Sequence, residues 1–61
     1  MKVYIEYEVD GELQTIFDNI SQEEYEGLTG EDVHNKIEDY YVDLDIKIPD
    51  YKILNVYTLN L

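Results

Sequence analysis

Cysteine and arginine are absent from this 61-residue chain, and serine, histidine and proline occur once each. Without cysteine there is no disulfide framework, no thiolate nucleophile and no thiolate metal site, so stability has to come from packing or self-association. A reducing compartment suits such a chain. One serine and one histidine leave little for nucleophilic or general-base catalysis, and Ser21 has another use as a helix cap, so the chain reads as a non-enzyme. Basic charge is scarce too: four lysines face fifteen acids, for a formal charge of −11. Such a surface repels nucleic-acid phosphates and anionic lipid headgroups, and it attracts basic proteins most strongly at low salt. No run approaches the length of a membrane span, and Glu6 comes too early for the apolar region of a signal peptide, so a cytoplasmic location is expected.

Against these absences stand 44% apolar residues, seven of them tyrosine. They are threaded through the acids at regular spacing, which argues for a folded acidic surface rather than a disordered tail. The length predicts a single domain over residues 1–61, and a domain of this size buries only about 60% of the surface its unfolded chain exposes. The core must be small.

Residues 2–9 alternate, with Val3, Ile5, Tyr7 and Val9 on one side and Lys2, Tyr4, Glu6 and Glu8 on the other, the pattern of a half-buried strand. Asp10-Gly11 marks a hairpin. A two-residue turn pairs Val9 with Glu12 and sends Leu13, Thr15 and Phe17 to the face away from Ile5 and Tyr7. A three-residue loop instead pairs Tyr7 with Leu13, Ile5 with Thr15 and Val3 with Phe17, which keeps the apolar set together and is the expected register. Ser21 and Glu24 have capping-box spacing, Gly27 interrupts the helix they start, and Thr29-Gly30-Glu31-Asp32 offers a second N-cap. The main helix then carries Val33, Ile37, Tyr40, Tyr41 and Leu44 at helical spacing. After Pro49-Asp50, residues 51–61 read as a long β-branched and aromatic strand. The order β-β-α-α-β predicts an α+β fold: a three-stranded antiparallel sheet in order 2-1-3, with one short and one longer helix packed on one face.

In the last strand Tyr51, Ile53, Tyr57 and Leu59 alternate with Leu54 and Val56, so both of its faces are apolar. Tyr4, Ile16, Leu54 and Val56 are therefore expected to form an exposed patch, a candidate homodimer seam, unless Ile46, Ile48 or the chain end folds back over it. Asp43-Leu44-Asp45 lacks the Gly and Glu of a calcium loop, and adjacent helical carboxylates such as Glu23-Glu24 and Glu38-Asp39 diverge, so no metal, cofactor or acid–base pair is expected. The carboxylates read better as arrays. Residues two apart on a strand stand about 6.6 Å apart, comparable with the step between successive phosphates, so Glu6, Glu8, Asp10 and Glu12 form one row around the hairpin. Glu23, Glu24, Glu26, Glu31 and Asp32 form a second cluster at the helix junction, where helix N-termini steady negative charge. A rigid array of this kind competes with DNA for a basic groove, whereas the plainer alternative is an acidic surface serving solubility.

The run Phe17-Asp18, Ser21, Glu23-Glu24 and Gly27, followed by an acidic helix, resembles a small family of acidic phage type I-F anti-CRISPR proteins that share the β-β-α-α-β order. The resemblance covers residues 17–38. It implies that Glu23 and Glu24 oppose the basic DNA-docking surface of a CRISPR surveillance complex. This chain departs from that family in its long aromatic C-terminal strand. The acidic hairpin followed by a capped helix also resembles the small phage inhibitors of uracil-DNA glycosylase. Both resemblances imply a phage-encoded DNA mimic acting in the host cytoplasm on a basic nucleic-acid-binding host protein. The reading from another class is a non-catalytic, dimerising protein-interaction module.

Overall fold

The computed structural model describes residues 1–59. Its elements are β1 (Lys2–Val9), β2 (Glu12–Asn19), α1 (Gln22–Glu26), α2 (Gly30–Asp43) and β3 (Lys52–Thr58). The strands form one antiparallel sheet in the order β2-β1-β3, and the α+β architecture is the expected one. Of the expected strand 51–61, the ladder takes 52–58, and Asn60 and Leu61 lie outside the described residues.

The hairpin register differs from the expected one. Val9 pairs with Glu12, Tyr7 with Gln14 and Ile5 with Ile16, so only Asp10 and Gly11 form the turn. Both have positive φ, 51° and 81°. Asp tolerates the left-handed region and Gly meets no steric penalty there, so the pair closes a tight turn whose twist matches that of its strands. Turn geometry thereby overrides apolar bookkeeping. Leu13 and Phe17 lie on the face away from the core, 62% and 57% exposed, and only Ile16 of β2 packs against the core cluster.

A second irregularity lies in β3. Tyr7 pairs with Ile53 and Glu6 with Asn55, so Leu54 is an extra residue without a partner on β1. This bulge shifts the inward parity, and Ile53 and Val56, three positions apart, both pack against the core. The bulge thus brings apolar residues of both parities, Ile53 and Val56, to the core-facing side, while Leu54 and Leu59 stay exposed and Tyr57 pairs with Tyr4 on the open face. The four-residue patch of Tyr4, Ile16, Leu54 and Val56 needs correcting accordingly. Ile16 and Val56 belong to the core-facing side, Tyr4 lies on the opposite face, and Leu54 sits at the bulge.

Among the described residues, buried apolar side chains are few: Val3, Ile5, Tyr7, Ile20, Val33 and Ile37. Helix α2 supplies two of them, and Tyr41 joins from its next turn by donating to or accepting from the Tyr7 hydroxyl at 2.8 Å. Tyr40 and Leu44, expected on the same stripe, are 44% and 51% exposed. The helix covers β1 and β3 while β2 stays largely bare, so its contact stripe is narrower than its apolar pattern.

The ends of α2 are well defined. Thr29 and Asp32 form a reciprocal capping box, the Asp32 amide donating to Thr29 Oγ1 at 3.2 Å and the Thr29 amide to Asp32 Oδ2 at 3.0 Å. At the other end the Asp45 amide bonds the Val42 carbonyl and the Ile46 amide bonds the Tyr41 carbonyl. With Asp45 at φ 57°, this is a Schellman ending built on a residue other than glycine.

Candidate acidic interface

The expected hairpin row is split by the observed register. Glu6 stands opposite Thr15 and Asn55, and Glu8 opposite Leu13 and Lys52, so both face the open side of the sheet. Glu12 pairs with Val9 and so shares the helix-bearing face, and Asp10 is at the turn. These four carboxylates therefore do not form one phosphate-like row, because a one-residue change of register moves side chains to the other face.

Of the expected helix-junction cluster, Glu24 and Asp32 share one depression, whereas Glu23, Glu26 and Glu31 are not among its lining residues. Ser21 caps α1 by accepting from the Glu24 amide at 3.1 Å, and its hydroxyl reaches Glu24 Oε1 at 3.5 Å. Glu26 accepts from Gln22 Nε2 at 3.3 Å, and Glu23 and Glu31 point into solvent from the first turns of the two helices. The backbone amide of Thr29, then its hydroxyl hydrogen-bond network, holds the Asp32 carboxyl below its ordinary value, with Lys36 adding a smaller pull. Glu24, Asp32, Asn35, Lys36 and Asp39 line an open depression where α1 turns into α2.

Asp39 and Asp43 were not among the expected site residues. With Asp32 and Lys36 they occupy positions i, i+4, i+7 and i+11 of α2, one side of the helix at about 5.4 Å per turn. Helical spacing alone could have found this stripe. Asp39 and Asp43 continue into a second groove between α2 and β2, lined also by Ile16, Phe17, Asp18 and Tyr40. Lys36 bridges the two depressions and donates to Asp18 Oδ2 at 2.7 Å. It is the only ion pair among the described residues.

The charge is segregated by face. The open sheet face carries Lys2 and Lys52 against Glu6 and Glu8, a balance of zero. The other thirteen acids, opposed only by Lys36 and Lys47, hold the whole −11 and are spread over the helices, the hairpin tip, Asp18 on the helix-bearing side of β2 and the α2–β3 connection.

His34 Nδ1 lies 2.7 Å from the Tyr51 hydroxyl, with the rings tilted at 5.5 Å. Burial, and then the neighbouring Glu38 carboxylate, raise the Tyr51 phenol above its usual range. Among the described residues no group of three or more His, Asp or Glu side chains is placed to hold a metal ion, and no helix is long and apolar enough to cross a membrane. Comparison with family models, with curated proteins and with solved structures finds no match to this chain.

Proposed function

We propose that the protein is a non-catalytic acidic inhibitor that sets its helical side against the basic nucleic-acid-binding surface of a partner and occupies that surface as a DNA mimic. The segregation of charge carries this reading: −11 is concentrated off one neutral face. Solubility asks for a net charge of only about 2–8 in a small domain. Asp43 and Asp45 also sit at the C-terminal end of α2, where the helix dipole favours cations, so that placement does not serve folding.

The resemblance of residues 17–38 to type I-F anti-CRISPR proteins makes the DNA-docking surface of a CRISPR surveillance complex the first target class. Uracil-DNA glycosylase is the second. Under this reading the protein is phage-encoded and acts in the host cytoplasm.

The test is a titration of the protein against DNA binding by a purified type I-F surveillance complex and against uracil excision by the glycosylase, beside a low-salt pull-down from bacterial lysate. Competition with DNA is expected in one of the three. Charge reversal at Glu24 and Asp39 should weaken the complex more than reversal at Asp45 and Asp50, and equal losses would mean diffuse charge rather than a site. Recovery of no basic nucleic-acid-binding protein, with no inhibition in either titration, overturns the reading.

A further inference from the structure

The open face of the sheet has no helix over it, and its side chains fall into rows across the three strands. Phe17, Tyr4 and Tyr57 form one row, with Tyr57 stacked on Tyr4 at 5.3 Å and Phe17 tilted against it at 6.0 Å. Lys2 Nζ stands 4.7 Å over the Phe17 ring. On one side of this row lie Asn19 and Lys2, and on the other Thr15, Glu6 and Asn55. A solvent-facing aromatic row on the one neutral face of a protein at −11 is not explained by the acidic interface.

We infer that this face is the contact between two copies of the chain, related by a two-fold axis running along the aromatic row. Charge selects the occupant. A basic partner is drawn to the helical side, a nucleic acid is repelled by the molecule as a whole, and two copies meeting through any other surface bring like charges together. On the open face the axis sets the aromatic row against its own copy and places Lys2 opposite Glu6 of the partner subunit, twice. Sheets stacked in this way sit about 10 Å apart. Both acidic sides remain outward and free.

The dimer supplies a layer that the fold lacks, since a sheet covered on one face leaves large apolar groups in water. Three strands make a face of ~14 by ~25 Å. That is smaller than the ~800 Å² per partner of a standard interface, so association is weak and concentration-dependent.

Sedimentation equilibrium from about 10 μM to about 1 mM tests this, because a small interface dissociates in that range. The wild type is expected to dimerise, and to do so several-fold more tightly at about 500 mM than at about 50 mM salt, as screening relieves the repulsion between two copies at −11. Phe17→Glu should weaken the dimer at least tenfold with the circular dichroism of the fold unchanged. Lys2→Glu should weaken it through the Glu6 contact, and Lys2→Glu with Glu6→Lys should restore it, a rescue that does not depend on how Phe17→Glu folds. A monomer throughout the range at both salts overturns the inference. So does a dimer indifferent to Phe17→Glu and to the charge swap. Neither result bears on whether the acidic side displaces DNA.

Discussion

Lys36 Nζ donates to Asp18 Oδ2 at 2.7 Å and ties α2 to the otherwise bare strand β2. The same ammonium lines both acidic depressions and is the cation within the stripe of Asp32, Asp39 and Asp43.

Removing it should separate stability from binding. Lys36→Gln loses one partly exposed ion pair, which costs under about 1 kcal/mol in urea unfolding. Binding to polylysine should tighten more for Lys36→Gln than for Lys47→Gln, which has the same net charge. Equal gains would disconnect the α2 stripe from recognition of basic partners.

The Tyr7 hydroxyl is buried and bonded to that of Tyr41. Tyr41→Phe leaves a buried polar group without its partner and should cost about 1–3 kcal/mol, whereas replacing both hydroxyls should cost less than the two single changes summed. A double-mutant cycle in denaturant measures the coupling.

Burial first, and then the bond to Tyr41, push the Tyr7 phenol well above its ordinary value of 10.0. The folded state therefore keeps a proton that the unfolded chain gives up. The stability this contributes is fully present below about pH 10 and is lost as pH rises through the folded value. Wild-type stability should fall above pH 10, and Tyr7→Phe should remove that part of the slope.

Asp45 closes α2 in the left-handed conformation at φ 57° with an acid at the negative end of the helix dipole. Asp45→Gly should relieve both costs and stabilise the fold by about 0.5–1 kcal/mol, read as a rise in the urea midpoint. Asp45→Ala should gain less, because alanine keeps the backbone strain.

At the other end of α2, the capping amide and hydroxyl of Thr29 lower the Asp32 carboxyl from 3.8. Its contribution is present above the unfolded value near 3.8 and is lost as pH falls through the folded one. Thr29→Ala should cost about 1 kcal/mol at neutral pH. Asp32→Asn should flatten the acid limb of the stability profile relative to wild type.

Much of this fold is legible residue by residue. The alternation of Val3, Ile5 and Tyr7, the caps at Ser21 and Thr29, and the spacing of Val33 and Ile37 are local signals, and each marks a segment correctly without reference to its neighbours. The helix-junction acids are legible for the same reason, since they sit beside those caps. Asp39 and Asp43 carried a signal as well, their helical spacing from Asp32.

The side of the sheet on which a residue stands is a different kind of property. It depends on register, and register changes with a single residue of turn length or a single bulge. Asp10-Gly11 closing as a two-residue turn puts Phe17 outside and Ile16 inside. The extra Leu54 puts Val56 inside with Ile53. Composition and local pattern therefore determined the elements, their order and the total charge. Tertiary structure alone decided that the charge lies off one neutral aromatic face, because that depends on the strand register and on both helices packing against the other side of the sheet.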